Sequence, residues 1–522
     1  MAIASPGSAS PGPRRAAVDT NVDAAAVLAR YARSRSRRER WRSLWRDCYA
    51  LVLPYRSELE GGDHAGDRRG DRVFDGTAPD AVDQLAASLL AQLTPPWSRW
   101  VGLVPGTDYA ATDRAEARAL LAAETERMTA TLHAHIDRSN FAVEIHQCFL
   151  DLVVGGTATL LVEEAPPGEV SALRFAAVPL AQTVLDEGPR GRLDIAYRRI
   201  ELTRAEAEDR FPGLLAGASG AEAAPDAPGR VALVEAVEPV PTAAGGGYRY
   251  VLILPGEGEG EGEPLLLGQA RLAESPFVSF RWMKAPGEVY GRSPVMKALP
   301  DIRTANRVVE LVLKNASIAV TGIWQADDDG VLNPATVRLV PGAIIPKAVG
   351  SSGLKPLEAP GNFDVSQLVL DDLRGRIRHA LLADQLAQVN APRMTATEVL
   401  ERSAQMARLL GATYGRLQSE LLTPLVLRCL SILRRRGEIP DLVVDGRTLQ
   451  VQFRGPLAQA QAQRDVQSTL HWLEAARALG PDAASVVDGT AAVRWLAERF
   501  GVAAELVRTL PPPTADGEAG DA

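Results

Sequence analysis

Cysteine is scarce in this 522-residue chain: Cys48, Cys148 and Cys429 stand far apart, with no paired spacing. That excludes a disulfide scaffold and a cysteine-rich zinc module, and it fits a reducing compartment. Long apolar runs are missing, and MAIASPGSASPGPRR at the amino terminus has no apolar h-region, so we expect neither a membrane span nor a secretory signal. No GxxxxGK[ST] loop is present to cradle the phosphates of an ATPase, and no GxSxG to expose a nucleophilic serine. The repeat GEGEGEGE at 256–263 is rich in glycine, but its glutamates would repel phosphate, and it reads as a solvated loop. Basic charge is in deficit: 57 Lys and Arg against 65 Asp and Glu give a net charge of -8. A general grip on nucleic acid is therefore unavailable to the isolated subunit, and any DNA contact must be local.

What is present is the composition of a soluble globular protein, 46% hydrophobic and 23% charged, long enough for about three to four folding units. Residues 1–20 and 511–522 are low in hydrophobicity and are expected to be disordered tails. Trp41, Leu44, Trp45, Cys48, Tyr49 and Val52 recur at helical spacing and predict a helix from Asp23 to about Pro54. A second helix is predicted from about Pro79 to Leu93, and two more near 113–137 and 140–154. Short β-branched runs then predict strands at 160–163, 173–178, 182–185, 194–200, 231–240, 248–254 and 277–282.

Beyond Trp282 the pattern returns to helix. Ser293-Pro294 reads as an N-cap and first-turn pair, with Pro300 restarting a helix over about 300–318. Residues 320–358 predict a compact insert of short strands, at Val320–Gln325, Val337–Val340 and Ala343–Pro346. A long helix is expected from Asp364 and another from Thr395, the latter bent at Pro424 and ended by Arg434-Arg435-Arg436-Gly437. A strand near 449–453 and a helical cap over 457–509 complete the chain.

Few residues point to chemistry. His133, His135, His146 and Cys148 are metal-ligand types, but residues two apart on a helix face different ways, so ordinary structural roles are expected. Asp327-Asp328-Asp329-Gly330 lacks the alternating ligands of a calcium loop and reads as a turn. Paired carboxylates stay open at this stage, because their geometry is spatial. The arginines at 30, 33, 35, 37, 38, 40, 42 and 46 could meet phosphates; a solvated helix face or a subunit interface is the more economical reading.

Several segments together resemble the head-to-tail connector, or portal, proteins of podovirus-type (T7-like) tailed bacteriophages. They are WRSLWRDCYALVLPYRSE near 41–58, VFDGTAPDAVDQLAASLLAQLTPPWSRWVGL at 73–103, GEVYGRSPVMKALPDIRTANRV at 287–308, MTATEVLERSAQM at 394–406 and LQSELLTPLVLRCLSILRRRGEIP at 417–440. The resemblance implies an α+β portal fold: an α/β wing over 21–290 with 441–455, a stem helix at 291–319, and a small β-containing clip at 320–362. A second stem helix at 363–388, a tunnel loop at 389–395, a long bent wing helix at 396–440 and a helical crown at 456–510 would follow. It further implies a ring, typically twelve-fold, at one capsid vertex of the virion, assembled in the host bacterial cytoplasm. Such a ring passes double-stranded DNA and meets the terminase large subunit, a tail adaptor, scaffold and major capsid protein. Neither enzymatic activity nor a cofactor or metal is implied. On that basis Gln388, Asn390 and Arg393 are expected to face DNA, and Asp327, Asp328 and Asp329 to dock the terminase and then the tail. A minor capsid or head-completion adaptor and, further off, a packaging nuclease or ATPase are the alternatives.

Overall fold

The computed structural model describes residues 22–56, 70–106, 115–213, 230–241, 246–256, 263–321, 324–326, 349–350, 354–356, 363–383, 411–442, 444–480 and 486–500. Both expected tails and residues 257–262 of the glycine–glutamate repeat lie outside them, as do the expected strands at 337–340 and 343–346.

Helix α1 (Ala24–Val52) begins where the Asp23 carboxylate accepts a hydrogen bond from the Ala25 amide at 2.9 Å, and stops before Pro54. Helix α2 (Thr77–Leu93) starts two residues before the expected Pro79, because Asp75 accepts from the Thr77 amide at 3.0 Å. Strand β1 (Val101–Pro105) was not expected from the sequence; helices α3 (Ala115–Asp137) and α4 (Phe141–Gly155) were.

Two antiparallel sheets follow. Strands β2 (Thr157–Glu164), β3 (Leu173–Val178) and, much later, β9 (Phe277–Arg281) form one, in the order β3-β2-β9. The other is a meander of β4 (Thr183–Asp186), β5 (Ile195–Thr203), β6 (Arg230–Pro239), β7 (Tyr248–Leu254) and β8 (Leu265–Leu272). β8 escaped the sequence reading because its LLLGQARL has no β-branched residue and carries a glycine, which sits where the register slips against Leu252 and Ile253. Between β5 and β6, α5 (Arg204–Arg210) is set by a capping box of Thr203 and Glu206.

Helix α6 is one rod, Pro294–Thr321, with Pro300 inside it rather than at its start. Val295, Ala298, Leu299 and Ile302 are buried on both sides of the proline, and that packing carries the helix through. Helix also takes Val320 and Thr321, so the strand expected from Val320 shortens to β10 (Trp324–Ala326), paired with β11 (Leu354–Pro356). Helix α7 (Phe363–Ala380) stops well before residue 388: the chain turns at Leu381 and Leu382, the latter at φ +59°, with Leu381 and Ala383 buried on either side. Helix α8 (Gly411–Leu417) runs through a π turn at Gln418–Leu422 into α9 (Thr423–Arg435). The expected irregularity at Pro424 thus takes the form of a π turn beside a proline in the first turn of α9. Gly437 ends the segment at φ +75°. Strand β12 (Leu449–Phe453) pairs antiparallel with β1, and α10 (Pro456–Ala478) and α11 (Gly489–Phe500) follow.

α1 serves two cores. Ala24, Val27 and Tyr31 pack on Val184, Tyr197, Val234 and Val251 of the meander, whereas Trp45, Cys48, Tyr49 and Val52 enter the main core with α2, α4, α6 and α9. Trp45 is fully buried; its Nε1 donates to the Gly155 carbonyl at 3.0 Å, and its ring meets Tyr290 edge-on at 5.0 Å and Trp41 at 5.9 Å. Trp45→Ala should therefore lower the unfolding free energy by about 3–5 kcal/mol, read from chemical denaturation; an unchanged midpoint would contradict this packing.

Candidate functional site

The segment from β9 into α6 threads a crowded crossing. An ideal Cβ on Gly291 would lie 2.2 Å from the Gly156 carbonyl oxygen, and one on Gly156 2.3 Å from that of Gly291. Only glycine permits this backbone approach, and Gly156 also sits at φ +75°. Hydrogen bonds fasten the crossing: Trp282 N donates to Gly156 O at 3.0 Å, and Gly291 N to Thr157 Oγ1 at 2.8 Å. Ser293 then donates to Val154 O at 2.8 Å while accepting from Met296 N at 2.9 Å, which opens α6.

Beside this crossing lies Arg281, only 1% exposed. Its Nη2 donates to Glu420 Oε1 at 2.6 Å and its Nε to Glu420 Oε2 at 3.2 Å. Its Nη1 reaches Glu187 Oε1 and the Val289 carbonyl, and its own amide also donates to Glu420 at 3.0 Å. Lys284 shares Glu187, and Arg416 shares Glu420. One guanidinium thus joins β9, the turn after β4, the entry loop of α6 and the π turn before α9. Burial opposes the charge on Arg281, but its hydrogen bonds to Glu420 and Glu187 outweigh that and hold the guanidinium above its ordinary value. For Glu187, burial likewise favours the neutral acid, and the hydrogen bonds from Lys284 and Arg281 more than reverse it, leaving the carboxyl below its usual range.

From this junction α6 and α7 run as a helical hairpin. Ile302 and Ala305 on α6 and Leu370, Leu373 and Ile377 on α7 are buried in the main core. Arg376 pairs with Asp301 at 2.8 Å and Arg374 with Asp75 at 2.8 Å, while Asn306 accepts from the Phe74 amide and donates to Arg72 O. The outer faces differ in charge. α6 presents Arg307, Leu311 and Lys314, the two cations pairing, among the described residues, with Glu310 on the same helix. α7 presents Leu368, 74% exposed, with Asp371 and Asp372, which have no ion-pair partner among the described residues.

Gln388, Asn390 and Arg393, expected to face DNA, and Asp327, Asp328 and Asp329, expected to dock partners, all lie outside the described residues. The metal-ligand types separate. His133 Nε2 bonds the Val101 carbonyl at 2.9 Å, and burial lowers its pKa. His135 accepts from Ala172 N at 3.1 Å and pairs with Glu438. All three cysteines are buried, which pushes the Cys48 and Cys429 thiols up to about 12 and disfavours thiolate chemistry. Among the described residues no group of three or more His, Cys, Asp or Glu side chains could hold a metal. The arginine run divides: Arg30 binds Glu238 with two hydrogen bonds, Arg37 pairs with Asp186, and Arg38 donates to Leu180 O and Ala181 O. Sequence reasoning missed the Arg281 cluster, whose members are separated by 94 and 139 positions, and no local motif signals it.

Arg281→Met should destabilise the chain by about 3–5 kcal/mol at neutral pH, since it removes the buried cation between two partly buried carboxylates and leaves them to Lys284 and Arg416 alone among the described residues. Glu187, with its folded pKa depressed, contributes stability that is complete above the unfolded value near about 4.3 and fades as pH falls through the folded value. Acid titration of the thermal midpoint should show this loss, and Glu187→Gln should flatten it; an identical acid limb in the variant would contradict the assignment.

A sequence model of the family described as "Bacteriophage head to tail connecting protein" matches residues 24–507. The chain is 27% identical over 515 residues to a protein named "Probable portal protein" from Bordetella phage BPP-1, covering 92% of this chain and 88% of that one. It is 24% identical over 509 residues to the portal protein of Salmonella phage epsilon15, with the same coverage. Against the portal protein of Escherichia phage T7 it is 27% identical over 168 residues, 32% of this chain and 31% of that one.

Proposed function

From a chain that belongs to the bacteriophage head to tail connecting protein family, and is the portal protein of a tailed bacteriophage, we propose a closed ring, twelve-membered, at one capsid vertex. The ring is the channel through which double-stranded DNA enters during packaging and leaves on ejection. It docks the terminase large subunit and afterwards the tail adaptor, and it meets scaffold and major capsid protein during assembly in the host cytoplasm. Residues 21–290 with 441–455 make the wing, 291–319 and 363–388 the stem, 320–362 the clip, 389–395 the tunnel loop, 396–440 the long wing helix and 456–510 the crown.

The observation that carries this reading is the extent of the family match, from 24 to 507, which spans every described element except the first two residues. It favours a portal over a head-completion adaptor or a packaging nuclease or ATPase. The hairpin supplies a physical means of closure. A ring is a heterologous assembly in which two different faces must complement each other. Arg307, Leu311 and Lys314 on α6 offer cations around an apolar side chain, and Leu368, Asp371 and Asp372 on α7 offer anions around another. Net negative charge also suits a channel that must let a rod bearing one charge per about 1.7 Å slide. Arg393, with Gln388 and Asn390, supplies the transient phosphate contact in the tunnel, and Asp327–Asp329 the docking charge of the clip.

Reversing α7 with Asp371→Lys and Asp372→Lys should leave folded subunits that fail to close rings, and adding Arg307→Glu and Lys314→Glu should restore them. Sedimentation reads both, and rings in the first variant would rule out the contact. In proheads, Arg393→Ala should assemble normally yet retain less DNA. Replacing 326–332 by a Gly/Ser linker should weaken terminase binding with rings intact; unchanged retention and unchanged terminase affinity would eliminate the tunnel and clip assignments respectively.

A further inference from the structure

Seventeen residues of α1, 30–46, hold eight arginines and one acid, a net charge of +7 in a chain of -8, so the remainder carries -15. Folding uses only part of this density. Arg30, Arg37 and Arg38 fasten the helix to the meander and to the turn before β4 through Glu238, Asp186 and two carbonyls. Arg33 and Arg40 are exposed, and neither has a partner among the described residues. Together with Arg37, still 56% exposed, they recur at i, i+4 and i+7 and form one cationic stripe, whose mutual repulsion weakens the helix unless an anion lies along it. An open groove of about 540 Å³ flanks the stripe, lined by the helix residues Arg30, Arg33, Ser34, Ser36 and Arg37 and, from the meander, by Asp186, Ile195 and Tyr197.

We propose that this ridge is a docking site for the phosphate backbone of double-stranded DNA, additional to the tunnel contact proposed above. The choice of DNA over a protein partner rests on what the face lacks. No exposed side chain between 29 and 43 is apolar and larger than alanine, and of the two apolar side chains in the groove Tyr197 is buried and Ile195 half-buried, so the ridge offers little of the exposed apolar anchor that gives a protein interface its energy. Guanidinium and hydroxyl donors in a row are what phosphate oxygens need. Of the neighbouring acids, Glu238 is engaged by Arg30, Asp186 by Arg37 and Ser34, and Glu39 by Arg42, which leaves Arg33 and Arg40 without an acidic partner among the described residues.

The test uses the assembled protein and relaxed, covalently closed circular DNA, which cannot thread a closed ring and so excludes binding by passage through the channel. Binding should fall with salt between about 50 and 200 mM. R33E/R40E should weaken it about ten-fold or more and reduce the slope of log K against log salt by about two, with an unchanged melting temperature, while R33K/R40K should retain most of the affinity. Unchanged affinity and slope in R33E/R40E would overturn the proposal. Loss of the oligomer in that variant, with undiminished DNA binding per subunit, would assign the ridge to a second copy of the chain and overturn it equally. A protein found to be monomeric would contradict the ring but not the ridge, which the same comparison on monomer would still decide.

Discussion

A buried guanidinium holds this structure to its geometry. Arg281 sits where four separately encoded segments converge, and the charge can remain there only because Glu420 and Glu187 surround it. Removing a charge of either sign would strand the others in a poorly solvated place, so the cluster behaves as one unit. The π turn at Gln418–Leu422 carries Glu420 to that unit. An irregularity that would weaken an isolated helix is thereby offset by the contact it delivers.

The consequence reaches the hairpin. Two glycines in backbone contact, Gly156 and Gly291, fix the angle at which the chain leaves the sheet, and Ser293 starts α6 from that fixed point. Asn306 and the Arg374–Asp75 pair then fasten the next two turns to the loop before α2. Beyond them the two helices present exposed faces of unlike charge among the described residues. Two exposed sides of complementary charge on a firmly anchored hairpin are what head-to-tail closure of identical subunits requires.

Much of the helical framework was legible in the sequence, because apolar periodicity and caps are local: Asp23, Ser293 and Gly437 mark their boundaries in the chain and in the structure alike. The paired strands Val101–Pro105 and Leu449–Phe453 were half legible. The second has the alternation of a strand, while the first is short, glycine-containing and defined by a partner nearly 350 residues away. Pro300 misled because its local preference to begin a helix was overridden by burial on either side. The Arg281 cluster left no trace, since carboxylates and arginines far apart in the chain acquire meaning only when folding brings them together. For the arginine run, composition flagged the charge, but only the structure separates the side chains that hold the helix down from Arg33 and Arg40, which are exposed and without a partner among the described residues.

Ring closure is the property on which the proposed function depends. Images of the purified protein, with its mass measured in native buffer, test it most directly: the account predicts closed rings with a central pore and a mass of about twelve subunits of 55.7 kDa. A monodisperse population at the mass of one subunit, with no ring in any image, would contradict it.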